Sequence, residues 1–461
     1  MTAMIGIIGG WLTGFYYEIL LIALCGFLVG GIDDLLVDII WIFRALWRSI
    51  WVFSKVDRVT VETLAPPENP GEIAVFIAAW DESNVIAAML SNLLRQFGKN
   101  KFHVFLGCYP NDPTTIEAAT DIASPNITIV ITSTCGPTTK ADCLNNVWRA
   151  MEHHELDRDM TFKSILLHDA EDVVHADEPR IFDSLIERFD LVQIPVLPLP
   201  NKSSRWIAGH YCDEFAESHA KSLVVREAIG AAIPSAGVGT AISRTAIQKI
   251  ATFRGGLPFD DDSLTEDYEL GLRVKENGGT TILARISEYR GGPIVAVRAH
   301  FPATLDTAVR QKTRWILGIA LAGWDRLGWS SSVLENWMRF RDRRAPIAAI
   351  ILCFGYLALL MTIANFIVAY VFAFTMPSWP PIIYALLWAN YLLLIWRVVL
   401  RCAFVTSEYD WKEGVRSIPR IVIGNIISII AARRAVIQYA KIRAFKDLKW
   451  DKTEHQFPSQ I

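Results

Sequence analysis

The chain has 461 residues, with 45 Lys+Arg against 48 Asp+Glu, and is 52% hydrophobic with 16 Trp. A net charge of -3 leaves no broad basic face, which excludes nucleic acid as a partner. Only 20% of residues are charged and mean hydropathy is +0.28, too apolar for an ordinary soluble enzyme of this size. The charge map resolves this into an ordinary domain with very apolar ends.

Residues 1–60 read as a membrane anchor followed by an interfacial helix. Only Glu18 is charged before Asp33. Trp11, Tyr16 and Tyr17 form an aromatic belt ahead of an apolar segment, Ile19–Ile32. Arg44, Arg48, Lys55 and Arg58 follow, so the segment is expected to run from outside to inside. With no basic n-region and no small-residue cleavage site, an uncleaved anchor is expected. Asp33, Asp34 and Asp38 fit poorly beside it, and the mixed stretch Leu35–Trp51 is expected to lie in the interface.

The linker APPENPG (65–71) opens a stretch of ordinary α/β composition, residues 72–300. Ile73–Ala79, Phe102–Tyr109, Ile127–Thr132 and Ser164–His168 read as buried strands. Ser83–Phe97, Thr114–Ala123 and Lys140–His153 read as helices. This alternation predicts a parallel sheet with crossovers, which binds ligands at the carboxyl ends of its strands. Seven cysteines without a CxxC pair or zinc-spaced histidines indicate a reduced compartment.

Residues 301–345 read as interfacial helices. From Ala345 to Trp396 no Asp, Glu, Lys or Arg occurs. A spanning helix needs ~20 apolar residues, so this run predicts two spans, at 346–374 and 382–402, within a hairpin at 346–405. The turn Met376–Pro381 joins them. Arg339, Arg341, Arg343 and Arg344 before the hairpin and Arg397 and Arg401 at its end predict that both ends are cytoplasmic. In the remainder, 406–461, Ile421–Ala432 is expected to be interfacial or re-entrant rather than a full span, and a polar cytoplasmic tail follows.

Five groups of residues carry possible chemistry. Asp169 and Glu171, one residue apart after a strand, can share Mg²⁺ or Mn²⁺, which suit few carboxylates plus phosphate oxygens; a surface acidic turn has the same pattern. Asp112 follows another strand and fits a ribose or base contact, or a turn in PNDP. Lys140 and Asp142 open a helix, where cation and amides can meet phosphate; an ordinary first-turn lysine has the same pattern. Thr265-Glu266-Asp267 opens a helix and offers a general base, or a capped, dipole-stabilised N-terminus. Gln311, Arg314 and Trp315 lie together on one helix: Arg can clamp a diphosphate and Trp can carry a sugar; an amphipathic interfacial helix has the same residues.

In this order, followed by apolar helices, the motifs resemble the membrane-embedded branch of the family 2 glycosyltransferases, which includes cellulose, chitin and hyaluronan synthases. The resemblance covers residues 72–325 and extends into the hairpin. YPNDP (109–113), HDAEDVVH (168–175) and SAGVGTAISR (235–244) look closer to the phage-adsorption protein B type of this family.

The resemblance implies a GT-A, Rossmann-like α/β domain with flanking transmembrane and interfacial helices. It implies inverting transfer from a nucleotide-diphosphate sugar, read as a UDP-sugar, to a polysaccharide or lipid-linked acceptor at the inner membrane. By motif, Trp80 and Glu82 line the base pocket, Asp112 contacts the nucleoside, and Lys140 and Asp142 flank the donor. Asp169 lies near sugar and ribose, and Glu171 is the metal ligand beside it. Asp267 is the base. Gln311, Arg314 and Trp315 hold the diphosphate and acceptor, and Gly237–Thr240 forms an acceptor-side loop. Glu171 stands where the family has Asp, with Asp172 available to share the load, and Trp-Asp-Glu stands where Asn commonly precedes Glu. Three or four membrane segments are few for a synthase that extrudes polymer, which implies oligomerisation, an exporter or outer-membrane partner, or a non-processive lipid acceptor. The alternative is a non-catalytic receptor or assembly scaffold on a transferase-like domain.

Overall fold

The computed structural model describes residues 2–371, 379–445 and 457–458, with side chains from residue 14 to 444 within those limits and at 457–458. The first half of the Met376–Pro381 turn falls outside the described residues, as do the Trp11 side chain and most of the tail.

Among the described residues seven strands build one sheet: β1 (Ile73–Ala78), β2 (Phe102–Cys108), β3 (Ile127–Ile131), β4 (Ser164–Asp169), β5 (Leu191–Gln193), β6 (Thr240–Ser243) and β7 (Thr281–Leu283). Their order is β3-β2-β1-β4-β6-β5-β7. The first four pair in parallel, as the alternation predicts. The expectation of an all-parallel sheet fails at β6, which runs antiparallel to both β4 and β5. Strands of three or four residues are too short to carry a readable period.

The central strands β1, β2 and β4 are buried on both faces, which explains their largely apolar sequences. Side chains alternate across the pleat: Val75 and Ile77 pack with Met89 and Leu93 of helix Ile86–Phe97, while Ala74 and Phe76 pack with Val147 and Trp148 of helix Lys140–Arg158. Each fully buried large apolar side chain contributes roughly 1.5–3 kcal/mol. Packing starts before the linker, since Val61 and Leu64 already belong to this core and Thr60 bridges to Ser287.

Around the domain, the described residues include four helices long and apolar enough to cross a membrane by length and composition. The N-terminal anchor and the interfacial stretch after it are one helix, Thr2–Trp47. The hairpin helices are Ala345–Val371 and Pro381–Glu408. At 1.5 Å per residue each runs about 40 Å, against ~30 Å of hydrocarbon. Ile421–Ala432 is not a short separate element but part of a 35-residue helix, Trp411–Phe445. That helix stays against the domain along its length. Arg420 bonds Asp213 at 3.0 Å and Arg205 O at 2.8 Å, Thr313 reaches Ala431 O at 3.4 Å, and Tyr439 bonds Asp325 at 2.6 Å.

The awkward aspartates find partners. Asp33 and Asp34 meet Arg341 and Arg344, and Asp34 also meets Arg397. Asp38 bonds Lys221 at 2.6 Å. This ionic collar ties the first helix, the helix Val333–Arg343, the second hairpin helix and the domain together at one level.

Candidate active site

The carboxyl ends of β1 and β4 open into a cavity of about 620 Å³. Its other walls come from helix Glu266–Glu276, the loop 234–238 and helix Leu305–Trp315. Of the residues singled out by sequence, Glu82, Lys140, Asp169, Glu171, Asp267, Gln311, Arg314 and Trp315 all line it.

Asp169 ends β4, and the turn after it is fixed from behind. The Asp172 carboxylate accepts from the Asp169 N–H at 3.0 Å and bonds the His168 ring at 2.8 Å. His168 is fully buried, and its other ring nitrogen bonds Glu178 at 3.0 Å. Burial opposes its charge, but Glu178 and Asp172 outweigh that and push it up to about 10. Asp172 is therefore engaged in holding the turn, while Asp169 and Glu171 face the cavity.

Thr139 caps helix Lys140–Arg158 by accepting from Asp142 N, which places Lys140 on the first turn. Its ammonium lies 2.5 Å from Asp169 Oδ1 and 3.8 Å from Glu266. Burial draws Lys140 down, yet Asp169, Glu266 and Asp267 outweigh it and hold it above its usual value. Asp267 is raised, by burial first, against the opposing pull of Lys140. Burial, reinforced by Asp267, pushes Glu266 up to about 7.

Thr265 precedes this helix but makes no side-chain cap bond, so the capping reading does not describe it. It packs instead on Gly318, where an added Cβ would lie 2.5 Å from Thr265 Cγ2. Gly318 belongs to the π-helical continuation, Ile316–Ala322, of helix Leu305–Trp315. The three-residue spacing puts Gln311 and Arg314 on the cavity side. Lys312, which does not line the cavity, bonds Glu214, which does, at 2.6 Å. Trp315 stands edge-on to Tyr211, with ring centroids 6.0 Å apart. Gln311 Oε1 is buried without a hydrogen-bond partner among the described residues. Such an orphaned acceptor costs about 1–3 kcal/mol unless a donor arrives.

Trp80, Asp112 and Asp142 do not line this cavity. Trp80 packs edge-on against Tyr109 at 5.1 Å. Asp112 is buried and caps helix Pro113–Thr120, accepting from Thr115 N at 3.3 Å and Asp81 N at 2.5 Å. Asp142 accepts from Thr134 Oγ1 at 3.3 Å.

Sequence reasoning misses Gln193. Its amide donates to Val238 O at 2.9 Å, and its carbonyl accepts from Ala236 N at 2.8 Å and Thr240 Oγ1 at 2.5 Å. It thus shapes the loop whose Gly237 abuts Asp267. The available signal is a lone amide in the apolar run LVQIPVL (191–197).

Among the described residues no three His, Cys, Asp or Glu side chains converge to hold a metal. The donor set still suits Mg²⁺ or Mn²⁺, which take one or two protein carboxylates and complete their shell with substrate phosphates and water. Asp169 and Glu171 are two carboxylates on one turn at the cavity wall.

The family described as "Glycosyl transferase family group 2" matches residues 164–404. Bacteriophage adsorption protein B of Escherichia coli (strain K12) is 35% identical over 488 aligned residues, covering 100% of this chain. Bacteriophage N4 adsorption protein B of Escherichia coli O157:H7 matches to the same extent. The chain spans 64% of the length of these relatives. In fold it is similar to the mannosyltransferase PcManGT from Pyrobaculum calidifontis, solved with GDP-Man and Mn²⁺. That likeness has a TM-score of 0.52 at 15% identity and covers 91% of this chain and 99% of the other. The sheet and its flanking apolar helices are those of a GT-A fold, and the chain belongs to the glycosyl transferase family group 2.

Proposed function

We propose that the chain transfers a sugar, with inversion, from a nucleotide-diphosphate sugar of the UDP class to a polysaccharide or lipid-linked acceptor at the cytosolic face of an inner membrane. One observation carries this reading: Asp169, Glu171, Asp267, Gln311, Arg314 and Trp315, scattered along the sequence, line one cavity.

Asp169 and Glu171 would hold Mg²⁺ or Mn²⁺, whose charge offsets that of the diphosphate. Arg314 supplies a fixed guanidinium for the departing nucleoside diphosphate, and Lys140 holds Asp169 in place. Asp267 takes the proton of the acceptor hydroxyl as its oxygen attacks the anomeric carbon in line. The buried setting that raises Asp267 makes it a stronger base than an exposed carboxylate. Gln311 Oε1 accepts a hydroxyl from the acceptor sugar, and Trp315 provides an apolar platform beside it. Positioning and electrostatic stabilisation supply most of the acceleration. The ionic collar supports a membrane arrangement in which the domain stays on the side where both hairpin helices end. The contacts of helix Trp411–Phe445 support an interfacial rather than a spanning course.

Membranes holding the chain are incubated with radiolabelled nucleotide sugars, and the product is sized. Label incorporated by the wild type and lost in Asp267→Asn is expected. Incorporation that survives that change excludes Asp267 as base. Absence of incorporation from every donor, with no thermal stabilisation by nucleoside diphosphates plus Mn²⁺, would favour the scaffold.

A further inference from the structure

Behind the helix that carries Gln311, Arg314 and Trp315 lies a second cavity, also of about 620 Å³. It separates the start of helix Leu305–Trp315 from the C-terminal half of helix Trp411–Phe445. Leu305 and Val309 form one apolar wall, and Ile430 and Ile437 the other. Arg433, Arg434 and Lys441 supply three cations. The single carboxylate of the lining, Asp306, is already bonded to Arg310. Arg433 and Lys441 have no ion pair with any described residue. Among the described residues, the charges of Arg433 and Lys441 therefore stand without an ion pair beside the apolar walls of the cavity.

Its location is set by the long helix. Asn425 bonds the Tyr356 hydroxyl of the first hairpin helix at 3.2 Å, which brings the helix to the apolar hairpin. Trp411, Val415, Ile418, Val422, Ile426 and Ile430 are exposed at three- and four-residue spacing, whereas Ile427, Ala431 and Ala435 are buried on the other face. An amphipathic helix of this kind lies with its apolar stripe in the acyl boundary and its cations among headgroups.

We propose that the cavity binds an anionic phospholipid, its phosphodiester between Arg433 and Lys441 and its acyl region along Ile430 and Ile437. A free phosphate would satisfy the cations but leave the apolar walls without a purpose. The site sits on the back of the helix whose front lines the catalytic cavity, yet it shares no residue with that cavity.

The test is thermal unfolding of the detergent-purified full chain with phosphatidylglycerol, phosphatidylcholine or inorganic phosphate. Phosphatidylglycerol is expected to raise the midpoint by several degrees and the other two to leave it within a degree. In the double variant Arg433→Gln/Lys441→Gln the midpoint without lipid is unchanged and most of the shift is lost. Equal shifts with phosphatidylcholine or phosphate, no shift with phosphatidylglycerol, or a full shift in the double variant would overturn the proposal. If the double variant does not fold, the comparison on the wild-type chain decides. No turnover is read, so the outcome is separate from that of the transferase test.

Discussion

Gly237 and Asp267 approach so closely that a Cβ built on Gly237 overlaps the Asp267 carboxylate. Gly237 also has φ of +76°, a conformation that side-chain-bearing residues rarely adopt. The Gly237→Ala variant should therefore displace the proposed base. We expect transfer to fall by at least ~10-fold, as small misplacements do, with the affinity for nucleoside diphosphate unchanged in calorimetry. Unchanged turnover would show that Asp267 tolerates the displacement.

Asp267→Asn keeps the shape and removes the basicity. A positioned general base contributes ~10²–10⁴-fold, and a loss in that range is expected in product formation. Nucleotide binding, followed by thermal shift, stays within a degree of wild type.

Glu171 and Asp172 are neighbours with different duties. Glu171→Gln is expected to weaken the Mn²⁺-dependent stabilisation by UDP while leaving the midpoint of the free protein alone. Asp172→Asn acts the other way, because His168 and the Asp169 N–H both bond that carboxylate. It lowers the midpoint of the free protein before any ligand is added.

Glu266 carries a pH signature. Its value in the folded chain is raised from 4.5 to about 7 by burial and by Asp267. Between these values the unfolded chain binds fewer protons than the folded one, so this group lowers stability as pH rises. Its contribution is most favourable below pH 4.5 and is lost through about pH 7. Glu266→Gln removes the titration, so the chemical-denaturation stability of the variant should gain on wild type from pH 5 to pH 7.5. A constant difference across that range would assign the shift elsewhere.

Arg420 is 2% exposed and joins Asp213 and Glu413. Gly209 makes the room, since a Cβ there would lie 2.5 Å from the guanidinium carbon. Arg420→Met leaves the buried Asp213 without its ion-pair partner, while Glu413 keeps Arg416, at a cost of ~3–5 kcal/mol. Limited proteolysis should then cut within helix Trp411–Phe445 at protease concentrations the wild type resists.

What could be read beforehand follows from the range of the interaction. The apolar run 73–79 and the mostly apolar stretch 102–109, interrupted by His103, mark their strands to within a residue, because burial on both faces leaves a local trace. The Gln311–Arg314 face was equally readable, since helical spacing is local. β6 reversed the expected direction because four residues carry no mark of their partner. Asp112 had the sequence of both a turn and a ligand contact, and only Thr115 N and Asp81 N reveal its capping role. Gln193 and Gly237 act on residues far along the chain, through contacts that no spacing rule encodes.

The ionic collar has a temporal side. Asp33 emerges from the ribosome 308 residues ahead of Arg341. At ~5–20 residues per second this is roughly 15–60 s during which Asp33 waits without its arginine partners. The whole transferase domain is synthesised in that interval. Locking of the first helix is thus a late checkpoint, which only a chain finished through the hairpin can pass.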